Sequence, residues 1–321
     1  MIVFIDWIST PNHANFNNAF FNCIELDNAC CYVFDDKLQT DAIACRSARS
    51  GSGRFNRFLA VRELCRQHRG DKIIFLTYDP VLLPLTGHLG FRAMVFEHNT
   101  TPETKTTKHA IWQKLFFHRF MRLTQFPAQQ SFLEGIGQKS LYVGSPLQSE
   151  KGMKLAKRRV RGPNSYFIAP SHRASLKEIV KLAKLDSNIR TVVKKTVFDR
   201  TPLPPDLVEY LIPVDRIDLT STSENILGII ITVSSRLRGT GWFNDAVAHQ
   251  LPIVISNHNA MMLYIETFPG FPYVALEQID TANELFTQLE DPKYIVGKDM
   301  IFSHNQAVKS RFMSALAMWG W

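Results

Sequence analysis

The strongest constraint in this chain is a change of rhythm that recurs along its whole length. Short runs of β-branched and aromatic residues alternate with longer stretches whose apolar residues recur at helical spacing. A strand that is apolar on both faces must be covered on both, and helices between successive strands do this for a parallel sheet. In the first half the spacing predicts strands at Ile2–Asp6, Cys30–Phe34, Lys72–Thr77, Met94–Glu97, Leu123–Phe126 and Leu141–Val143, with helices near 14–24, 54–68, 107–121 and 128–136. The pattern then breaks. Six cations from Lys151 to Arg161 follow Glu150 with no acid between them and lead into Gly162-Pro163, which reads as an exposed linker. Alternation restarts with strands at Tyr166–Ala169, Thr191–Val193, Ile229–Val233, Ile253–Ser256 and Tyr273–Leu276. The helices expected among and after them lie near 175–185, 242–250, 259–267, 281–289 and 304–318. The expected fold class is α/β, with two doubly wound Rossmann-like domains at 1–148 and 149–303.

Length and composition agree with two globular domains. The chain has 321 residues, 45% hydrophobic and 21% charged, which excludes a disordered or collagen-like polymer. No window approaches the roughly 18 uninterrupted apolar residues of a spanning helix. The opening Met1–His13 lacks the basic segment and small-residue cleavage site of a signal peptide, so a secreted product is not expected. Five cysteines, all within the first 65 residues, are odd in number and form no C-x-x-C pair. That suits reduced thiols in a cytoplasmic protein.

Ligands of open α/β sheets bind beyond the carboxyl ends of the strands, so the residues just past each strand carry the functional reading. Asp6 ends the first strand, and the polar segment Thr10–Asn17, with His13 and Asn15, follows it. No G-x-G-x-x-G stands there and no G-x-x-x-x-G-K-[ST] occurs anywhere, which counts against dinucleotide enzymes and P-loop ATPases. Glu97-His98-Asn99 ends the fourth strand. A carboxylate and an imidazole at that position form a candidate general-base cluster, and either Glu97 or His98 could take a proton from an acceptor hydroxyl. The same side chains could instead cap the following loop.

In the second half Arg173 and Lys177 follow a strand, and Lys194 ends the next one, which suits a diphosphate. The most specific segment is Thr232–Val254: strand, Ser235, a turn containing Gly239, Thr240 and Gly241, a helix with Asp245 early in it, then Pro252 and another strand. Glycines let backbone approach a phosphate, and Asp245 is placed to accept hydrogen bonds from a ribose diol.

This segment resembles the donor-site region of GT-B glycosyltransferases, two-Rossmann-domain enzymes that use nucleotide sugars. Asp245-Ala246 and Pro252-Ile253-Val254 reproduce the spacing of the acid and the strand in that family, with Asp where Glu is usual. Leu141–Pro146 resembles the end of the family's N-terminal domain. The resemblance implies two domains facing across a cleft, with the C-terminal helix 304–321 packing back on the first. It implies donor binding by Arg173, Lys177, Lys194, Ser235, Thr240, Gly241 and Asp245. On the acceptor side it implies binding by Asn15, His98 and Asn99, with Glu97, Asp6 or His13 as the base. The earlier glutamate of retaining members is Arg238 here, and Thr10–Asn17 replaces the usual glycine-rich loop, which favours an inverting route. Expected partners are a nucleotide sugar and a glycan or lipid-linked glycan acceptor, as in bacterial surface-polysaccharide synthesis. No resident cofactor is expected, and with no D-x-D triad no metal either.

Two further readings concern the +8 formal charge. Residues 107–122 interleave Trp112, Phe116 and Phe117 with Arg119 and Arg122, which suits a helix in an anionic membrane surface at the inner face. The same pattern suits a half-buried helix whose aromatics pack on the sheet. A nucleic-acid partner is not expected, since no recognised module appears and each half carries the same excess of basic residues. A nucleotide-sugar epimerase and a non-catalytic basic binding protein are the rival readings.

Overall fold

The computed structural model describes residues 1–9, 11–35, 42–48, 53–89, 93–98, 107–148, 165–169, 176–197, 205–217, 219, 225–233, 236–237 and 241–319. Side-chain burial is not described for a few of them, among them residues 11–15, 107–110 and 176–177. The chain divides into two compact units, Met1–Pro146 with His304–Trp321, and Leu147–Ser303.

Unit 1 carries a seven-stranded sheet, all of it parallel, in the order β3-β2-β1-β4-β5-β6-β7. The strands are β1 (Ile2–Asp6), β2 (Ala29–Val33), β3 (Ala44–Ser47), β4 (Lys72–Thr77), β5 (Ala93–Glu97), β6 (Phe120–Thr124) and β7 (Ser140–Tyr142). The central strands are apolar on both faces because both are covered. On one face α1 (Pro11–Ile24) buries Phe16, Phe20, Phe21 and Ile24. The long α9 (Lys298–Met318) lays Val308, Phe312, Ala315 and Leu316 into the same core, a helical i, i+4, i+7, i+8 stripe. Phe20 stands edge-on to Phe96 at 4.9 Å and to Phe312 at 5.1 Å, so aromatic pairs join the sheet, α1 and α9. On the other face α2 (Arg54–Gln67) buries Phe58, Val61, Leu64 and Cys65, and α3 (Thr107–Phe116) sets Trp112 against the same core. Helix α4 (Pro127–Gly135) links β6 to β7. All five cysteines are free thiols.

Unit 2 has a six-stranded sheet, also parallel, in the order β10-β9-β8-β11-β12-β13. Its strands are β8 (Tyr166–Ala169), β9 (Arg190–Lys194), β10 (Leu211–Val214), β11 (Ile226–Ile231), β12 (Ile253–Ile255) and β13 (Val274–Ala275). Its helices are α5 (Leu176–Leu185), α6 (Trp242–Ala248), α7 (His258–Thr267) and α8 (Ala282–Glu290). Every residue of β11 is buried. Gly228 is required there, since a Cβ would come within 2.9 Å of the Pro252 carbonyl oxygen.

Two strands were not expected from the sequence pattern, β3 because it carries no apolar run and β10 because Pro213 interrupts its Leu-Ile-Pro-Val run. β3 is an edge strand with three of its four residues exposed, and β10 is an edge strand that tolerates Pro213, as only edges do. β6 begins at Phe120, three residues ahead of the expected Leu123, and α3 stops at Phe116 where a helix to 121 was expected. The reason is Phe117, whose fully buried ring turns the chain into the core between helix and strand.

Candidate functional site

At the carboxyl edge of the unit 1 sheet the polar residues interlock. Asp6 ends β1 and is fully buried. Its Oδ1 accepts from the Ser9 N–H at 3.1 Å and from the Thr77 hydroxyl at 2.5 Å, and its Oδ2 accepts from the Asn17 amide at 2.8 Å. The Thr77 hydroxyl in turn accepts from the Ile8 N–H at 2.8 Å, and the Ser9 hydroxyl accepts from the Phe34 N–H at 2.9 Å. These bonds hold Ser9 at a φ of 49°, a conformation uncommon for residues other than glycine. One carboxylate thus ties together β1, α1, β4 and the exit of β2.

Glu97, at the end of β5, is equally buried. Its Oε1 accepts from the Tyr78 hydroxyl at 2.5 Å and from Arg122 Nε at 2.5 Å, and a second Arg122 nitrogen completes the ion pair. Arg122 is itself fully buried on β6, with its guanidinium 4.5 Å from the Phe117 ring centroid. Burial raises the Glu97 carboxyl above its ordinary range, against the lowering effects of Arg122 and Tyr78. Next in the chain, half-buried His98 places Nδ1 2.7 Å from the Gln125 amide nitrogen and stands edge-on to Phe16 at 4.5 Å. Gln125 is held through its own N–H, which donates to Gln129 Oε1 at 3.1 Å. His98 is thus the imidazole of this edge, its Nδ1 facing the Gln125 amide and its Nε2 buried.

The carboxyl edge of unit 2 is built differently. Lys194, at the end of β9, lies with Nζ 5.8 Å from the centroid of the Trp242 ring, at the first position of α6. Asp245 follows three residues later on the same helical face, half-buried. Beyond β12, Asn257 donates to the Val233 carbonyl at 3.1 Å and caps α7 by accepting from the Ala260 N–H at 2.8 Å, which fixes the exit of β11. Arg236 pairs with Glu266 across the same edge. A cation, an aromatic ring and a carboxylate on adjoining elements can serve an anionic group, a planar base and a diol.

Several expected site residues are placed differently from the sequence reading. Asp6 and Glu97 are not free to act as bases: both are buried, the first in backbone-organising hydrogen bonds and the second in an ion pair. Phe117 and Arg122 do not face a membrane, because each is fully buried. Trp112 is half-buried and donates its indole N–H to the Pro80 carbonyl at 3.2 Å, whereas Phe116 and Arg119 are exposed. Gly241 sits immediately before α6. Asn99, Arg173, Ser235 and Thr240 lie outside the described residues, as do the side chains of His13, Asn15 and Lys177. Sequence reasoning missed Tyr78, Gln125, Gln129 and Trp242. One signal was present: Arg122 lies between Met121 and Leu123 in an apolar stretch, and a cation inside a buried strand requires an acid partner. Among the described residues no group of three or more His, Cys, Asp or Glu side chains could hold a metal ion, and no helix is long and apolar enough to cross a membrane.

No protein-family model and no curated protein matches the sequence. Solved structures do match over the whole chain. Anabaena HepE, crystallised in complex with UDP and glucose, aligns with a TM-score of 0.64 at 13% identity, covering 98% of this chain and 99% of that one. A UDP-N-acetylglucosamine 2-epimerase aligns with a TM-score of 0.53 at 9% identity, over 99% and 96%. The glycosyltransferase SnogD from Streptomyces nogalater aligns at 0.47 with 12% identity, over 99% and 98%, too loosely to add to these. At such identities the likeness is one of fold. The chain has two parallel-sheet, Rossmann-like α/β units, matching neighbours of the GT-B glycosyltransferase fold.

Proposed function

We propose that this protein is a glycosyltransferase that moves a sugar from a nucleotide-diphosphate sugar to a hydroxyl of a glycan or lipid-linked glycan, as in surface-polysaccharide synthesis. The observation that carries the reading is the end-to-end likeness to HepE, whose crystals hold UDP and glucose. The carboxyl edge of unit 2 supports it with Lys194 for the diphosphate, Trp242 for a planar base and Asp245 for the ribose diol. Arg173, Lys177, Ser235, Thr240 and Gly241 complete the proposed donor set.

On unit 1, His98 is the proposed base. As the acceptor oxygen bonds to the anomeric carbon, its proton passes to the His98 imidazole, and the bond from that carbon to the diphosphate breaks. The nucleoside diphosphate departs with the electron pair. Cations stabilise its charge. This displacement inverts the anomeric centre and uses no resident cofactor or metal. Asn15 and Asn99 are proposed acceptor contacts, and the Glu97–Arg122 pair keeps the strand end bearing His98 in place.

The fold shared with a 2-epimerase supports a second reading, in which the nucleotide sugar itself is the only substrate. A thermal-shift screen against UDP, GDP, CDP and ADP, followed by incubation with the matching nucleotide sugar, tests both. A ligand that binds only the folded protein raises its melting point. The transferase reading expects free nucleoside diphosphate to accumulate only when a glycan acceptor is supplied. An epimerised nucleotide sugar formed without acceptor would select the second reading, and no shift with any nucleotide would reject both.

A further inference from the structure

Helix α2 has two apolar faces where a surface helix needs one. The inner face, Phe58, Val61, Leu64 and Cys65, is buried in the core. The outer stripe runs Phe55, Leu59, Arg62, Arg66 at successive i+4, i+3 and i+4 steps, apolar at its start and basic at its end, with Phe55 63% and Leu59 45% exposed, and Arg69 is exposed in the turn just past the helix. The same arrangement continues on the two neighbouring elements. Val81 and Leu85, four residues apart after β4, are both exposed. On α3, Ile111 and Leu115 are exposed at 54% and 57%, with Lys114 exposed between them. These elements are tied to one another. Arg54, the first residue of α2, pairs with Asp79, and Trp112 of α3 donates to the Pro80 carbonyl.

Scattered exposed apolar residues are ordinary, but a set gathered on adjoining elements marks an interaction surface. Charge identifies the partner. Residues 53–69, 78–89 and 107–119 contain eight Lys and Arg against two acids, Glu63 and Asp79, and both acids are already in ion pairs with Arg66 and Arg54. A second copy of this chain would bring two like-charged faces together. A surface both apolar at its centre and anionic at its rim suits it, and a bilayer containing acidic phospholipids has that chemistry.

We propose that this face of unit 1, formed by α2, the segment after β4 and α3, docks on an anionic lipid bilayer. The apolar side chains enter the headgroup boundary while the arginine half of the α2 stripe meets lipid phosphates. The inference does not rest on nucleotide-sugar chemistry.

The test is co-sedimentation of the full chain with phosphatidylcholine vesicles containing phosphatidylglycerol, compared with phosphatidylcholine alone, with light scattering on the free protein. Binding should require phosphatidylglycerol and weaken with salt. The apolar variant Phe55→Ser/Leu115→Ser and the charge variant Arg62→Glu/Arg69→Glu should each lower partitioning by about tenfold or more, with unchanged melting temperatures. The charge variant decides the matter if the apolar one fails to fold. Equal partitioning of wild type and the folded variants would overturn the proposal. So would failure of the wild type to bind phosphatidylglycerol vesicles, or variants that instead split a dimer.

Discussion

The two sheets end in opposite ways at their carboxyl edges. In unit 1 the strand ends carry buried polar groups whose bonds are made to one another: Asp6 with Ser9, Asn17 and Thr77, and Glu97 with Tyr78 and Arg122. In unit 2 the central strand β11 is apolar throughout, and the residues of interest are half-buried, Lys194 at the end of β9 and Trp242 and Asp245 on α6. Low-dielectric surroundings make a fully satisfied polar network rigid and make any one deletion costly. Half-buried polar groups at the rim keep part of their hydration and cost less to hold there than fully buried ones. Unit 1 thus uses its strand-end carboxylates to hold its own shape, and the half-buried groups of unit 2 are the ones proposed for the nucleotide.

Breaking the buried pair tests the unit 1 side of this contrast and should give the largest effect. Glu97→Gln leaves Arg122 without its counter-charge and should lower unfolding stability by about 3–5 kcal/mol, measured by urea denaturation. The double variant Glu97→Met/Arg122→Met should regain much of that loss, because the cost comes from the orphaned charge and not from losing the attraction. A Glu97→Gln protein as stable as wild type would remove the network's structural role. Next in size, His98→Gln should lower turnover by about 100-fold or more with nucleotide affinity kept. Unchanged turnover would place the base elsewhere. On the unit 2 side, Trp242→Leu removes the ring beneath Lys194 and should weaken nucleotide binding by about 0.5–1 kcal/mol without shifting the melting temperature. A loss of stability instead would show that this edge is structural too.

The smallest effect concerns pH. His304, buried on α9, places Nε2 2.9 Å from the Ser145 carbonyl oxygen, and burial lowers its pKa from the ordinary 6.5 despite that bond. With the folded value depressed, the unfolded chain takes up the proton first as pH falls. The contribution of neutral His304 to stability is therefore full above pH 6.5 and is lost as pH falls through the folded value. His304→Gln should flatten this part of the stability profile by about 1 kcal/mol or less, and an unaltered profile would show that other groups set it.

Much of the fold was legible because a parallel sheet covered on both faces writes itself as apolar runs. β1, β4 and β8 lie where the pattern places them, to the residue. β3 escaped because an exposed edge strand needs no such run, β10 because Pro213 within its apolar run argues against a strand, and Arg122 was misplaced because its strand reads, without its partner, as the end of an amphipathic helix. The candidate site was less legible. That Glu97 and Asp6 stand at strand ends could be read, but Glu97 is bound to an arginine 25 positions further on, and only the pairing of β5 with β6 brings the two together. Trp242 meets Lys194 for the same reason, through the sheet and not through the local pattern. Spacing locates strand ends; which side chains face one another there is decided by strand order.

The central claim, that the carboxyl edge of unit 2 holds a sugar nucleotide, is tested most directly by calorimetric titration of UDP, GDP, CDP and ADP into wild type and into Asp245→Ala. Saturable binding of one of these nucleotides to wild type is expected, weakened in Asp245→Ala by about 1–3 kcal/mol through loss of a charged hydrogen bond, with the variant's melting temperature unchanged. Binding of equal strength in both proteins, or saturable binding of none of the four to the wild type, would contradict it.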